Sequence, residues 1–212
     1  MARSRARDHD EKRTAILHRA AVAFARDGYD RVSMAQLAAE CGVSKALLYH
    51  YHTSKESLLF DILQDHLTAL VEAVEEADDA SLEPEERLQA LVTALLDAYR
   101  DADAEHKVQL AGMKLLPEAE QQSLKALERR LVAIFAGAVR AVEPALFADS
   151  ALLKPVTMSL FGMLNWAYMW FREDGPMCRE DYAHLATRLL VGGVRGLQSV
   201  PATAGQTSSE PR

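Results

Sequence analysis

The sequence predicts an all-α chain of about nine helices. Gly and Pro number only 10 and 7 in 212 residues, and Ala, Leu, Glu, Arg and Gln are common, a mixture that favours helix. Apolar residues recur at three- and four-residue spacing in one segment after another. No segment alternates apolar and polar residues as a half-buried strand would, and no internal repeat is visible. With 49% hydrophobic residues, the chain can bury a sizeable core in one large domain or two small ones.

Residues 1–9 read as a basic arm, expected to be disordered until bound. The first helix covers about 10–27, with Ile16, Leu17, Ala20, Ala21 and Phe24 on one face, and Gly28 stops it. Ser33 and Gln36 have the spacing of a capping box, in which each side chain serves the other's backbone donor. The helix they open turns Met34, Leu37, Ala38 and Cys41 inward. Gly42-Val43-Ser44 is a turn, and Ser44 caps a helix over about 45–52. Thr53 or Ser54 caps the fourth, whose apolar face carries Leu59, Ile62, Leu63, His66, Leu67, Leu70 and Val74. At ~1.5 Å per residue this helix exceeds 30 Å and links the head to the rest.

Residues 78–83 make a break, and Pro84 opens a helix with Leu88, Leu91, Val92, Leu95, Leu96 and Tyr99 in register. A shorter helix covers about 104–115. Pro117 opens a long one through Val142, which Pro144 ends. A run over 152–171 with Lys154 as its one charge follows, then the turn signal Asp174-Gly175-Pro176 and a last helix holding Tyr182, Leu185, Leu189, Leu190, Val194 and Leu197. The polar tail over 199–212 is expected to be disordered. The domain boundaries expected are an arm and a small helical head over 1–55, a helical body over 56–198 and the tail over 199–212.

The uncharged run from Pro155 to Phe171 is shorter than the ~20 residues a bilayer span needs, and Thr157, Ser159 and Asn165 interrupt it. It reads as a buried core helix, and no membrane partner is expected. No secretory signal is visible. Cys41 and Cys178 lie far apart without metal-ligand spacing, as reduced thiols of a cytoplasmic protein would. No His-Cys-Asp cluster, glycine-rich phosphate loop or paired carboxylates suggest an enzyme, a metal or a cofactor. His66 and His106 are lone histidines on helices.

Charge is divided unevenly. Residues 1–55 hold 10 basic and 6 acidic side chains, a balance of +4, and the remainder holds 14 and 25, a balance of −11. A basic head on an acidic body suits a polyanionic partner met by the head alone.

Two short helices joined by a glycine-containing turn make a helix-turn-helix, whose second helix can enter a DNA major groove. At 100° per residue, Leu47, Leu48 and Tyr51 fall on one side of that helix. Lys45, Ala46, Tyr49 and His50 fall on the other. Lys45 suits guanine O6 or N7, and Ala46 suits a thymine methyl. Tyr49 and His50 suit phosphates, which set register without reading sequence. Lys55, in the first turn of the fourth helix, suits a second phosphate. The competing reading is a solvated face on a small bundle.

The stretch AILHRAAVAFARDGYDRVSMAQLAAECGVSKALLYHYHTSKESLL resembles the DNA-binding region of the TetR/AcrR family of bacterial transcriptional regulators. The resemblance covers residues 11–60. It implies that Ser33 caps a helix abutting a phosphate, that Lys45, Ala46, Tyr49 and His50 face the groove behind the cap Ser44, and that Tyr51 and Lys55 assist on the backbone. Leu47 stands where the family often has a small or hydroxyl residue, and His52 where it often has Phe.

A single helix-turn-helix reads few base pairs, so a dimer face is expected. Gly192, Gly193 and Gly196 each cost a helix up to ~1 kcal/mol against Ala, which close approach of another helix would offset. The resemblance implies a four-helix dimer interface built from the last two helices of each copy. In FGMLNWAYMWF, Phe161, Gly162, Asn165 and Met169 share one helix face if the run is continuous. These residues read as core or dimer contacts, except that a buried Asn165 needs partners. The longer stretch FGMLNWAYMWFREDGPM resembles members that control acyl-CoA breakdown, including fatty acid and phenylacetate pathways, and so implies an acyl-CoA thioester as effector.

The candidate ligand residues are Tyr99, Met113, Phe161, Asn165, Met169, Trp170 and Arg172. Arg129, Arg130 and Lys154 join Arg172 as candidates for the phosphates. The expected function is a ligand-responsive repressor that binds a palindromic DNA operator as a homodimer and is released by a small apolar effector. The alternative is a constitutive or architectural DNA-binding protein without a ligand.

Overall fold

The computed structural model describes residues 2–148 and 151–197, and the expected tail over 199–212 lies outside them. Nine α-helices and three 3-10 turns account for the secondary structure of the described residues, in agreement with the expected fold class. The helices are α1 (Ala2–Asp27), α2 (Met34–Glu40), α3 (Lys45–Tyr51), α4 (Lys55–Ala77), α5 (Pro84–Ala98), α6 (Asp103–Gly112), α7 (Glu118–Val142), α8 (Leu153–Asn165) and α9 (Arg179–Leu197). The 3-10 turns span Tyr29–Arg31, Met113–Leu115 and Ala167–Met169.

The arm expected over 1–9 is corrected: the backbone is helical from Ala2. Neither Gly nor Pro occurs before Gly28, so nothing in the local sequence stops the helix earlier. Gly28, at φ 86°, ends it. Ser33 and Gln36 form the capping box of α2, and Ser44 Oγ accepts from the Leu47 amide at 3.1 Å to start α3. Between them Gly42 turns at φ 67°. That left-handed geometry disfavours any residue with a Cβ, and a Cβ there would also meet Arg19 Nη1 at 3.3 Å. At α4 the cap is Ser54, reciprocated by Ser57, and not Thr53.

The head consists of α1, α2 and α3 against the start of α4. Leu37, Leu48, Leu58 and Leu59 are wholly buried there with Phe24 and Ala20. The body stacks α5 and α7 on α4, α9 on α5, and α8 on α7 and α9. One hydrophobic core runs through both, from Ile16 to Val194. α6 lies against both α1 and α4, and His18 of α1 meets Glu105 of α6 at 2.8 Å.

The expectation of one core helix through Phe171 is also corrected. α8 ends at Asn165, and the chain turns sharply at Ala167–Met169. The carbonyl of Asn165 bonds to His106 Nε2 at 3.1 Å, and the next amides bond three residues back, Met169 to Trp166. The last carbonyls of a helix have no partner in the ladder, and His106 supplies one to Asn165. Trp166, Met169 and Trp170 then stand more than half exposed, at 59%, 57% and 51%. Among the described residues, no helix is long and apolar enough to cross a membrane.

Leu37 has no exposed surface and joins α2 to the head core. Leu37→Ala is expected to cost about 2–5 kcal/mol, read as a lowered urea midpoint in equilibrium unfolding.

Candidate nucleic-acid interface and ligand cavities

α3 has only two turns, so its orientation depends on what it buries. Leu48 is its wholly buried residue, and Leu47 and Tyr51 are half-buried. The opposite side therefore faces outward, and Lys45, Ala46, Tyr49 and His50 are all exposed. Lys45 Nζ stands 5.8 Å from the Tyr49 ring centroid. Tyr51 packs its ring 4.7 Å from His9, and the edge of His50 meets it. One cation, one small residue and two ring donors thus share a continuous surface at the end of the molecule where the basic residues concentrate.

Lys55 is placed differently from the expectation of a free phosphate ligand. Its Nζ donates to the carbonyls of Tyr29 (2.9 Å) and Val32 (3.2 Å), 4.2 Å from the Tyr29 ring centroid. Two of its three donors therefore tie the α1–α2 connection to α4, and one remains for a partner. His52 is buried under α3, with Nδ1 2.9 Å from Asp61 Oδ2. A ring that the family often fills with Phe is here an anchored polar one.

The body holds two cavities that share a wall. The first, about 240 Å³, lies beneath the α5–α6 turn and the end of α8; Tyr99, Asp101, Asp103, His106, Tyr168 and Glu173 are among its lining residues. The second, about 180 Å³, lies between α4, α7 and α8, with Leu67, Leu70, Leu131, Val132, Met158 and Phe161. Tyr99 and Asn165 line both, joined by the Tyr99 hydroxyl donating to Asn165 Oδ1 at 2.7 Å. Of the candidate ligand residues, Tyr99, Phe161 and Asn165 are brought together. Met113, Met169, Trp170 and Arg172 are not: the first lies in the turn after α6, and the other three follow the end of α8, outside both linings, which takes Met169 off the face it was expected to share with Phe161 and Asn165.

Sequence reasoning missed the polar cluster around that wall. His66 and His106 are 6% and 3% exposed. Their ring centroids lie 6.1 Å apart, and that of Tyr99 lies 4.7 Å from His106. His66 occurs in the apolar register of α4, a signal that a polar ring is buried there. Desolvation raises the proton affinity of the Tyr99 hydroxyl. It lowers that of His106, opposed by the bond to Asn165 and the charge of Asp103. Desolvation, aided by His106, pulls His66 from 6.5 down to about 4. Gln109 Nε2 donates to Glu128 Oε1 at 3.0 Å on the lip of the second cavity.

On α8 and α9 an outward apolar groove contains Val156, Met163, Leu189, Gly193, Val194 and Leu197. Leu189 is 58% exposed, and a Cβ added at Gly192, Gly193 or Gly196 would meet nothing within 4 Å. Cys178 begins α9, its Sγ accepting from the Asp181 amide at 3.4 Å as a weak cap.

A helix-turn-helix with an open recognition face, set on a helical body with internal cavities, defines the class of DNA-binding transcriptional regulators. Residues 16–62 match the family model of bacterial regulatory proteins of the tetR family, and residues 81–194 match the tetracyclin repressor-like C-terminal domain. The chain belongs to the TetR family. It is similar to a TetR-family transcriptional regulator from Bordetella parapertussis 12822, at 35% identity and a TM-score of 0.80, over 89% of this chain and 98% of that one. It is similar to AibR in complex with isovaleryl coenzyme A and operator DNA, at 27% identity and a TM-score of 0.73, over 85% of this chain and 98% of that one. The HTH-type transcriptional activator FasR of Mycolicibacterium smegmatis is 27% identical over 199 residues, 92% of this chain and 86% of FasR.

The His66 shift has a consequence for stability. The unfolded ring takes up a proton as pH falls through about 6.5, and the folded ring resists until about 4. Stability present above pH 6.5 is therefore lost progressively toward pH 4, by about 2 kcal/mol at pH 5. Urea unfolding at pH 7.5 and pH 5 is expected to show this loss, and His66→Leu is expected to leave only the smaller part due to His106.

Proposed function

We propose that the chain is a ligand-responsive transcriptional repressor that binds a palindromic operator as a homodimer. The observation that carries this reading is the exposed Lys45, Ala46, Tyr49 and His50 face of α3, held outward by the burial of Leu48. Lys45 reads a guanine edge, Ala46 lets the backbone approach a thymine methyl, and Tyr49 and His50 hold phosphates. Ser33 and Ser44 cap helices whose N-terminal amides face the duplex backbone, with Tyr51 and the remaining Lys55 donor in support.

The second copy packs its α8 and α9 on the groove that contains Gly193, where the open glycines let helix backbones come close. Two heads then meet half-sites about one DNA turn, ~34–36 Å, apart or a multiple of it. The effector is a small molecule bound in the body, and an acyl-CoA thioester is its class. The apolar cavity between α4, α7 and α8 suits an acyl chain. Lys125 and Arg129 stand within a turn of Glu128 and Val132 on α7, and Lys154 within a turn of Met158 on α8, as partners for the phosphates. Arg130 is paired with Glu75. The coenzyme A complex of AibR supports this class by likeness. To release DNA, the effector must prefer the released state, because equal affinity would shift nothing.

Lys45→Ala and Tyr49→Ala together are expected to abolish operator retardation while sedimentation still shows a dimer; unchanged retardation would reject the DNA-contact assignment. Titrating acyl-CoAs of graded chain length into the protein–operator complex is expected to free the DNA at one length or more. Retention of the complex at every length rules the thioester out.

A further inference from the structure

We infer that His9, near the amino end of α1, is a positioning residue for the recognition helix: its ring packs on Tyr51 and fixes the roll of α3, and with it the aim of the groove face. The consequence for DNA rests on the reading proposed above; the geometry belongs to the free protein.

The first observation is the length of α1. The helix begins at Ala2, yet its first buried residue among those described is Ile16. His9 lies seven positions before Ile16, about 10 Å of helix at ~1.5 Å per residue. Arg13 clamps this part of α1 to Asp65 of α4 at 2.6 and 3.1 Å. The helix thus continues past the head core and reaches α3, where the His9 ring centroid lies 4.7 Å from that of Tyr51 with 43° between the planes.

The second observation is how little else holds α3. The helix spans seven residues and wholly buries one, Leu48. A single buried side chain acts as a pivot: it keeps the helix down and leaves its roll to flanking contacts. α2 packs on one flank. At the far end His52 ties the chain to Asp61 of α4 at 2.9 Å. Tyr51 is half-buried. Among the described residues its ring meets three others, and two of them, His50 and His52, are its own chain neighbours. His9 is the one that comes from another helix.

The third observation joins this contact to the groove face. His50 is exposed and meets the Tyr51 ring edge-on, at 5.8 Å and 72°. His9, Tyr51 and His50 therefore form a row from α1 to a residue assigned above to a phosphate. A roll of α3 that opens the first contact also moves the last. Ring pairs at these separations attract beyond their area burial, by an amount equal to about two- to tenfold in an equilibrium constant.

The test uses the full chain, first without DNA. Hydrogen exchange at the α3 amides is expected to quicken about two- to tenfold in His9→Ala and to return to the unaltered rate in His9→Phe, which keeps a ring and lacks the N–H. The urea midpoint is expected to stay the same in both, because His9 is exposed. The second arm uses a duplex selected from a random pool by the unaltered protein. His9→Ala is expected to weaken its binding about two- to tenfold, and His9→Phe to restore it. In a Tyr51→Leu background His9→Ala is expected to add nothing further. Unchanged exchange in His9→Ala, or effects that add in the double variant, would overturn the inference. So would an equal loss of binding in His9→Phe, which would make His9 a direct phosphate donor. If the unaltered protein selects no duplex, the DNA-binding reading falls, and the exchange rates still decide whether His9 holds α3.

Discussion

The apolar stripe of α4 is the constraint on which the rest of the molecule depends. It runs from Leu58 to Val74, nine buried positions on one side of a single helix. Its first turn closes the head core under Leu48, and its later turns pack on α5 and α7. Because interiors are close-packed, α4 cannot shift at one end without its neighbours repacking at the other. The bidentate Arg13–Asp65 pair, at 2.6 and 3.1 Å, fixes α1 to the same helix. Lys55 fastens the α1–α2 connection to its start. Head and body are thus held on one rod.

His66 breaks this stripe chemically while keeping its register. It brings a polar ring into the space where α4, α5, α6 and α8 converge, and Tyr99, His106 and Asn165 gather around it. Buried polar groups of this kind cost stability unless partners are supplied. Two members of the cluster, Tyr99 and Asn165, also form the wall between the two cavities. The neighbouring bond from His18 to Glu105 puts α6 in contact with the head by a second route.

Local signals in the sequence carried most of the fold. Ser33 with Gln36, Ser44, Gly28, Gly42 and Pro84 each act on atoms within a few residues, and each marks a boundary in the structure. The outward face of α3 was legible because Leu48 and Lys45 differ in polarity on a helix too short to be ambiguous. What was not legible depends on distant partners. The carbonyl at the end of α8 is met by His106, 59 residues away in the chain. The commitment of Lys55 is set by carbonyls 26 and 23 residues upstream. The cavity under the α5–α6 turn is built from three separate stretches, so no local spacing announces it, and Met169 and Trp170 were assigned to a helix that does not continue to them.

The brevity of α3 sets how the molecule can fail. Seven residues in isolation are far below the length at which a helix persists in water, so the reading surface lasts only while Leu48 stays covered. Uncovering Leu48 would erase the arrangement of Lys45, Ala46, Tyr49 and His50 along with the helix. The shape of that surface is therefore lent by the core beneath it and not by α3 itself.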